Sequence, residues 1–553
     1  MKKLTQKLTF FQSNFAIYVY YLIFAAVWTY PVIFHLKSMI IGYHDAWQFI
    51  WNFWWVKTAL LNGISPFFTT YLHWPNGISL LFHTLNLPNA IISISLQPIF
   101  GLPATYNILV LLNFALAGLS VYLLAKLLTK NRFASFVAGY VVTFSAYYIA
   151  HSYGHLNLMS FGWVVLFILH YLKMLKGKAN WKLPVVFLIL ATFSDLYYAF
   201  YLALFLVLHL IFLLIFDRQS FRQKGFLKNY FFMIGLGLLL ISPYIGTMVY
   251  EKVTNSDFNF IGHDPLKYSV DLVAYFIPNF TSIFKPNIME FWEKWHYSWE
   301  NVGYIGYSVF ILIFYALFKI RGKPIFFWFF IFLAYAVLAL GPYLQVNGVI
   351  YTHAPLPFYW VQKYIPFINL QGVPARFASF AYLAGAILVA FALSDILKKR
   401  NLLKTIIVII LVSGIFIEYM PAKMITSQIP VSDFYLEIAK DRQDYAIIDI
   451  SYDYDRVLYY QTIHHKRLIG GYTSRTTEKT QDFLKNTPVI NNVYNVQDFE
   501  EGFNFKSGIE ILKHYKIKYI LISKQDKKRL RIVEKLNLPI IFHNPRMTVV
   551  QVY

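Results

Sequence analysis

The stretch Phe15-Ala16-Ile17-Tyr18-Val19-Tyr20-Tyr21-Leu22-Ile23-Phe24-Ala25-Ala26-Val27-Trp28-Thr29-Tyr30-Pro31-Val32-Ile33-Phe34, followed after a short gap by His44-Asp45-Ala46-Trp47-Gln48, decides what kind of protein this is. The first run carries no charged residue and is long enough to cross a bilayer, for which about 20 apolar residues suffice. It has no small-residue cleavage pattern, so it reads as a retained span. Just past it stands Asp45, a carboxylate set ahead of the aromatic run Trp51-Asn52-Phe53-Trp54-Trp55. An acid among aromatics at a membrane surface is costly to dehydrate, so its presence calls for a reason.

Composition outward from that stretch agrees. Of 553 residues, 58% are hydrophobic, 20% aromatic and only 14% charged, far too apolar for a soluble chain of this length. The chain reads as an integral, multi-pass protein of the cytoplasmic membrane. The net charge of +22 does not point to nucleic acid, because the basic residues fall in short clusters between apolar runs, as in cytoplasmic loops. There is no cysteine, which excludes disulfides, thiolate metal sites and thiol catalysis.

The apolar runs predict roughly eleven transmembrane helices of about 20 residues. They lie near Phe15 to Phe34, Tyr106 to Leu127, Phe133 to Ala150, Leu158 to Leu175, Pro184 to Ser194, Tyr197 to Phe216, Tyr230 to Tyr250, Gly303 to Phe318, Ile325 to Leu340, Phe377 to Leu397 and Leu403 to Met420. With a cytoplasmic amino terminus, the inside loops collect Lys126, Lys130 and Arg132, then Lys173, Lys176, Lys178 and Lys182, then Arg218, Arg222, Lys224 and Lys228, and later Lys319, Arg321 and Lys323. The short outside loops at His151 to Asn157 and around Asp195 hold no Lys or Arg. That alternation places the long loops and the carboxyl-terminal segment outside the cytoplasm. Pro184 to Ser194 is short for a full crossing, and a re-entrant segment there would move every later loop to the other side.

Residues 1–420 are thus expected to form the transmembrane domain, with exported loops at 37–104, 251–301 and 345–376. In the first loop, Trp47 to Leu61 and Ala90 to Phe100 read as helices at the interface. From about Pro421 the composition becomes that of a soluble domain. Ala446 to Ile450, Tyr519 to Ile522 and Thr548 to Val552 suit buried strands, and Gly508 to Tyr515 and Lys527 to Leu536 have helical spacing. Residues 421–553 are expected to be an extracytoplasmic α/β domain.

Several motifs carry a family resemblance. Gly42-Tyr43-His44-Asp45, Ser65-Pro66-Phe67-Phe68-Thr69-Thr70-Tyr71-Leu72, Gly154-His155-Leu156-Asn157-Leu158, Glu300-Asn301-Val302-Gly303-Tyr304-Ile305-Gly306-Tyr307, Val373-Pro374-Ala375-Arg376-Phe377, Tyr460-Gln461-Thr462-Ile463-His464 and Gly470-Gly471-Tyr472-Thr473-Ser474-Arg475 together resemble bacterial membrane proteins grouped with the GT-C glycosyltransferases, relatives of protein mannosyltransferases and aminoarabinose transferases. The resemblance implies a GT-C-like helical membrane domain. It also implies an inverting transferase that moves sugar from a lipid-linked, polyprenyl phosphate donor to an exported glycan, lipid or protein acceptor of the cell envelope. On this reading Asp45 is the general base and His44 its neighbour or alternate. The competing reading of Asp45 is a helix cap ahead of Ala46 to Leu60.

A leaving phosphate needs positive charge at the outer surface, and Arg376, opening a span after an exported loop, is the candidate. Its alternative is to snorkel or to pair with an acid such as Glu300. His155, Asn157, His83 and Asn86 are further candidates for sugar or phosphate contact, against satisfied interfacial polar groups. Asp195 interrupts an apolar hairpin and is read as substrate-binding, as assisting a metal or as a cap of the following helix. Glu300 belongs to the same outer level, with Glu290, Glu293 and His296 nearby. A divalent cation between Asp45 and these acids is open, but no Asp-x-Asp pair stands in the first loop, and the reading favours no metal and no cofactor. Gly470-Gly471-Tyr472 is either a loop turned back to cover the acceptor or a structural hairpin. No Walker or dinucleotide fingerprint is present. The functional alternatives are a flippase or transporter of a lipid-linked saccharide and a noncatalytic envelope-assembly protein.

Overall fold

The computed structural model describes residues 13–254, 263–284, 300–365, 372–398, 401–429, 431–452 and 455–553. Glu290, Glu293 and His296 lie outside the described residues. Each of the eleven apolar runs contains helix, although the first is helical only to Trp28 before a short turn of 3-10 helix and the run from Gly303 becomes helical only at Tyr307. Among the described residues, five helices are long and apolar enough to cross a membrane: Leu102–Thr129, Leu156–Leu175, Leu196–Phe216, Phe226–Thr254 and Pro374–Ile396. Asn14–Trp28, Lys182–Ser194, Tyr307–Lys319 and Lys323–Ala339 are apolar but shorter. The expected span from Phe133 to Ala150 is broken into Arg132–Thr143 and Ala146–His151. Ser145 makes the break. Its hydroxyl donates to the Val142 carbonyl and accepts the Tyr148 amide, offering the backbone local partners in place of helix continuation.

The chain forms two compact units. One comprises 1–36, 107–242 and 262–426, the other 37–106, 243–261 and 427–553. In the first, Ala378–Ile396 is buried on nearly every side and packs against Arg132–Thr143, Tyr307–Lys319 and Lys323–Ala339. Ala378, Ala381, Ala384, Gly385 and Ala386 keep its surface small, so neighbouring helices approach closely. Phe226–Thr254 is the opposite case: 17% of its apolar window is buried, against 89% for Pro374–Ile396, so its Phe231, Leu238 and Leu239 face outward as lipid-contacting side chains do.

The second unit is built on a five-stranded sheet of β1 (Ala446–Ile450), β2 (Arg467–Leu468), β3 (Ile517–Ser523), β4 (Ile540–His543) and β5 (Met547–Gln551), in the order β4-β5-β3-β1-β2. β1 pairs parallel with β2 and β3, with Ala446 opposite Ile517 and, past a register shift, Ile447 to Ile450 opposite Tyr519 to Ile522, while β5 runs antiparallel to β3 and β4. Near-continuous apolar strands such as Ala446-Ile447-Ile448 are what burial on both faces demands. Their core, Ile448, Ile469, Val493, Leu512, Ile520 and Val533 among others, is closed by Trp74 from the first loop. The unit is larger than the segment after Pro421 because that loop joins its sheet edge. The Leu468 amide donates to the Tyr71 carbonyl, and the Trp74 and His73 amides donate to the carbonyls of Leu468 and Gly470.

Candidate functional site

In the second unit, Asp45 opens the helix Asp45–Leu61, with His44 as the preceding cap residue at φ +45°. Asp45 is therefore a first-turn acid, favoured by the positive end of the helix, rather than the cap itself. The helix is held by its aromatic face. Trp47, Trp51 and Trp55 are fully buried, the Trp51 indole donating to Gln461 Oε1 at 2.7 Å and the Trp55 indole to the Pro66 carbonyl at 2.9 Å. Gln461 in turn donates to the Tyr71 and Lys466 carbonyls.

The Gly470-to-Arg475 loop meets this helix. Tyr472 donates its hydroxyl to Asp45 Oδ1 at 2.8 Å, and Ser474 Oγ contacts Gln48 Oε1 at 3.3 Å. Gly471 makes the approach possible: its φ is +130°, and a Cβ there would lie 2.8 Å from a Leu72 methyl. His44 is exposed, but its Nδ1 lies 2.9 Å from Oδ2 of buried Asp455, leaving Nε2 as the outward nitrogen. His83 is fully engaged. The Ser474 amide donates to its Nδ1 at 3.1 Å, so Nε2 carries the hydrogen toward Asn52 Oδ1 at 2.9 Å. Burial lowers its pKa to about 3, so the ring is neutral, despite the opposing pull of Asp45. Asn86 is buried and accepts from Asn89, and among the described residues its own Nδ2 has no hydrogen-bond partner.

In the first unit, Glu300, Arg376, His155, Asn157 and Asp195 gather into one network. Arg376 donates through Nε at 3.2 Å and Nη2 at 2.5 Å to Glu300 Oε1. His155 Nε2 lies 3.8 Å from the same oxygen, and His151 Nε2 lies 3.6 Å from Oε2. Asn157 donates to Asp195 Oδ2, while Asp195 Oδ1 accepts the Tyr197 amide at 2.9 Å and so caps Leu196–Phe216. Burial pushes the Asp195 carboxyl up, against the pull of Arg376. For Glu300 burial also pushes upward, but Arg376, His151 and His155 more than reverse it and hold the carboxyl below its ordinary value. Burial lowers His151 to about 3. Gly306, at φ +96°, lets the Glu300-to-Tyr307 turn pass Glu418, whose Oε2 lies 2.7 Å from where a Cβ would stand. Glu418 accepts from Ser308 N and Oγ at the start of Tyr307–Lys319.

Among the described residues, His151, His155 and Glu300 are a group able to hold a metal ion, with ligand atoms within 4.8 Å of one another. The guanidinium of Arg376 already occupies Glu300 Oε1, so a cation there would share the carboxylate with a fixed positive charge. Sequence reasoning missed Asp455 and His151. Asp455 sits in the acidic run Asp453-Tyr454-Asp455, and His151 lies four residues before His155, at helical spacing.

A family model described as a domain of unknown function, DUF6311, matches residues 19–413. No curated protein matches the chain at a significant level. Among solved structures, the arabinofuranosyltransferase AftD from Mycobacteria aligns at TM-score 0.56 and 11% identity, covering 98% of this chain and 40% of that one. ArnT from Cupriavidus metallidurans bound to undecaprenyl phosphate aligns at 0.49 and 10%, covering 97% and 98%. The oligosaccharyltransferase AglB from Archaeoglobus fulgidus, in complex with an inhibitory peptide and a dolichol-phosphate, aligns at 0.46 and 13%, covering 92% and 69%. The last two fall below the level at which an overall likeness carries weight. The AftD likeness shows a shared fold.

Proposed function

Because the chain belongs to the DUF6311 family, whose description names no activity, its function rests on the site, and we propose that it is a glycosyltransferase using a polyprenyl-phosphate-linked sugar donor. The proposal places the amino terminus in the cytoplasm, about eleven helices across the cytoplasmic membrane, and the loops and carboxyl-terminal sheet outside it. The acceptor is an exported glycan, lipid or protein of the cell envelope. The observation that carries the reading is the Asp45 carboxylate, held by the Tyr472 hydroxyl at the start of a rigid aromatic helix. The shared fold with AftD, an arabinofuranosyltransferase, supports it.

In the proposed reaction Asp45 takes the proton from the acceptor hydroxyl or amide as its oxygen or nitrogen attacks the anomeric carbon. The bond from that carbon to the phosphate oxygen breaks on the opposite face, and the lipid phosphate leaves with the electron pair. Tyr472 fixes the carboxylate for this role. Arg376 is assigned to the leaving phosphate, with His155, Asn157 and Asp195 binding nearby; Glu300 then has to share the guanidinium with the phosphate. No metal is assigned.

A second reading of the base is favoured by the His44–Asp455 pair. A buried carboxylate on Nδ1 orients the imidazole and leaves Nε2 to accept a proton, the arrangement used by hydrolytic triads. The test is sugar transfer from a panel of polyprenyl phosphate sugars by the wild type, Asp45→Asn and His44→Gln in lipid, with folding and donor binding checked for each. Loss of transfer in folded, donor-binding Asp45→Asn supports the first assignment, and loss only in His44→Gln transfers it to the histidine. No transfer by the wild type with any donor it binds would sink the enzyme reading in favour of transport or assembly.

A further inference from the structure

The sheet of the second unit has a feature that the transfer reaction does not use. From β1 the chain passes through the helix Arg456–His464 to β2 on one side, and from β3 it passes through Lys527–Glu534 to β4 and β5 on the other. The two crossovers part between adjacent parallel strands, and in open α/β sheets the crevice beyond the carboxyl ends of such strands is where ligands bind.

In this chain that place is a cavity of about 900 Å³, within the range of small-molecule sites. Its floor is the ends of β1 and β3 at Ile450, Ser451 and Ser523, and its walls carry Arg456, Lys527, Lys528, Arg529 and Arg546 against the carboxylate of Asp526. Arg529 is already committed: it pairs with Asp526 and donates to the carbonyls of Val493 and Tyr494. Among the described residues, no carboxylate lies within ion-pair distance of the other four cations. Arg456 lies over the rings of Trp47 and Tyr452, at 5.5 and 5.9 Å, and its Nε is buried without a hydrogen-bond partner.

The floor is rigid. Ser451 donates to Asp449 Oδ1 at 2.6 Å, and the Tyr435 hydroxyl donates to Asp449 Oδ2 at 2.8 Å. Both helix starts are satisfied by their own aspartates, Asp455 and Asp526, so attraction in the crevice comes from side-chain charge. Four cations around two strand-end serines match a group with several acceptor oxygens and more than one negative charge.

We propose that this crevice binds a phosphate-bearing ligand through Arg456, Lys527, Lys528 and Arg546, at a site distinct from the Asp45 carboxylate and independent of the transfer reaction. Either an anionic lipid headgroup or a soluble phosphate ester supplies that chemistry. The test is calorimetric titration of the full chain, in nanodiscs of zwitterionic lipid, with inorganic pyrophosphate as the probe. Saturable binding is expected, and Lys527→Glu with Arg546→Glu, two exposed positions, weakens it by about tenfold or more. Lys506→Glu, an exposed charge outside the crevice lining, leaves it unchanged.

Should the double reversal lower the unfolding temperature, Lys528→Gln with Arg546→Gln provides a milder variant that weakens binding in the same direction. Repeating the titration with phosphatidylglycerol in the nanodisc separates the sources. Weaker apparent pyrophosphate binding than in zwitterionic lipid identifies the headgroup as the occupant, and unchanged binding identifies a soluble phosphate. Absence of saturable binding to the wild type, or equal weakening by Lys506→Glu, overturns the proposal.

Discussion

At the scale of single residues, the sequence singles out Asp45 and His44 because an acid and an imidazole just ahead of an aromatic run are chemically out of place. What could not be read is what holds them. Tyr472 and Asp455 stand about 400 residues away, and no local pattern joins them to the first loop. Replacing the carboxylate by Asp45→Asn is expected to lower transfer by about 10² or more with donor binding retained, measured as initial rate against bound donor. Tyr472→Phe removes one hydrogen bond and should cost less, about tenfold. His44→Gln and Asp455→Asn act as one unit if the histidine is the base, so the double variant should be no slower than either single one. Additive losses would separate them.

At the scale of elements, the Glu300–Arg376 pair joins a turn to the start of a buried helix. Glu300→Gln leaves a buried guanidinium without its counter-charge and is expected to reduce stability by about 3–5 kcal/mol. Pairing it with Arg376→Met should recover much of that loss in denaturant unfolding. Gly471→Ala should strain the loop that carries Tyr472 and lower activity more than stability, visible as a fall in kcat with little change in Tm. Apolar runs gave the helices closely because hydrophobicity alone fixes them. Their ends and breaks depend on capping bonds such as those of Ser145, which hydropathy does not register. Length is the second gap. Lys182–Ser194, with 13 residues, extends only about 20 Å against a hydrocarbon core of about 30 Å. A reporter fused after Ser194 therefore decides the topology: an extracytoplasmic signal supports a crossing, and a cytoplasmic one reverses every later loop.

At the scale of the whole molecule, buried neutral histidines make stability depend on pH. Burial lowers His73 to about 4 and His83 and His464 to about 3, whereas the unfolded chain titrates near its ordinary value of about 6.5. Below that value the unfolded state binds more protons, so stability is complete above about pH 6.5. Each histidine then costs about 1.4 kcal/mol per pH unit on the way down to its folded value. Glu300, depressed in the folded state, adds a loss of the same sign only below the ordinary carboxylate range. Unfolding temperatures measured in detergent from pH 7 to pH 5 should therefore fall, and His83→Gln, if folded, should flatten the slope. The strand-like segment from Tyr71 to Trp74, paired with Leu468 and Gly470, has one more consequence, in time. The first loop is synthesised about 400 residues before its partners, so the ribosome must deliver nearly the whole chain before Asp45 acquires Tyr472. Under the proposed function, a nascent chain therefore lacks its fixed carboxylate until its final segment pairs with its first loop, and no half-made catalyst is released.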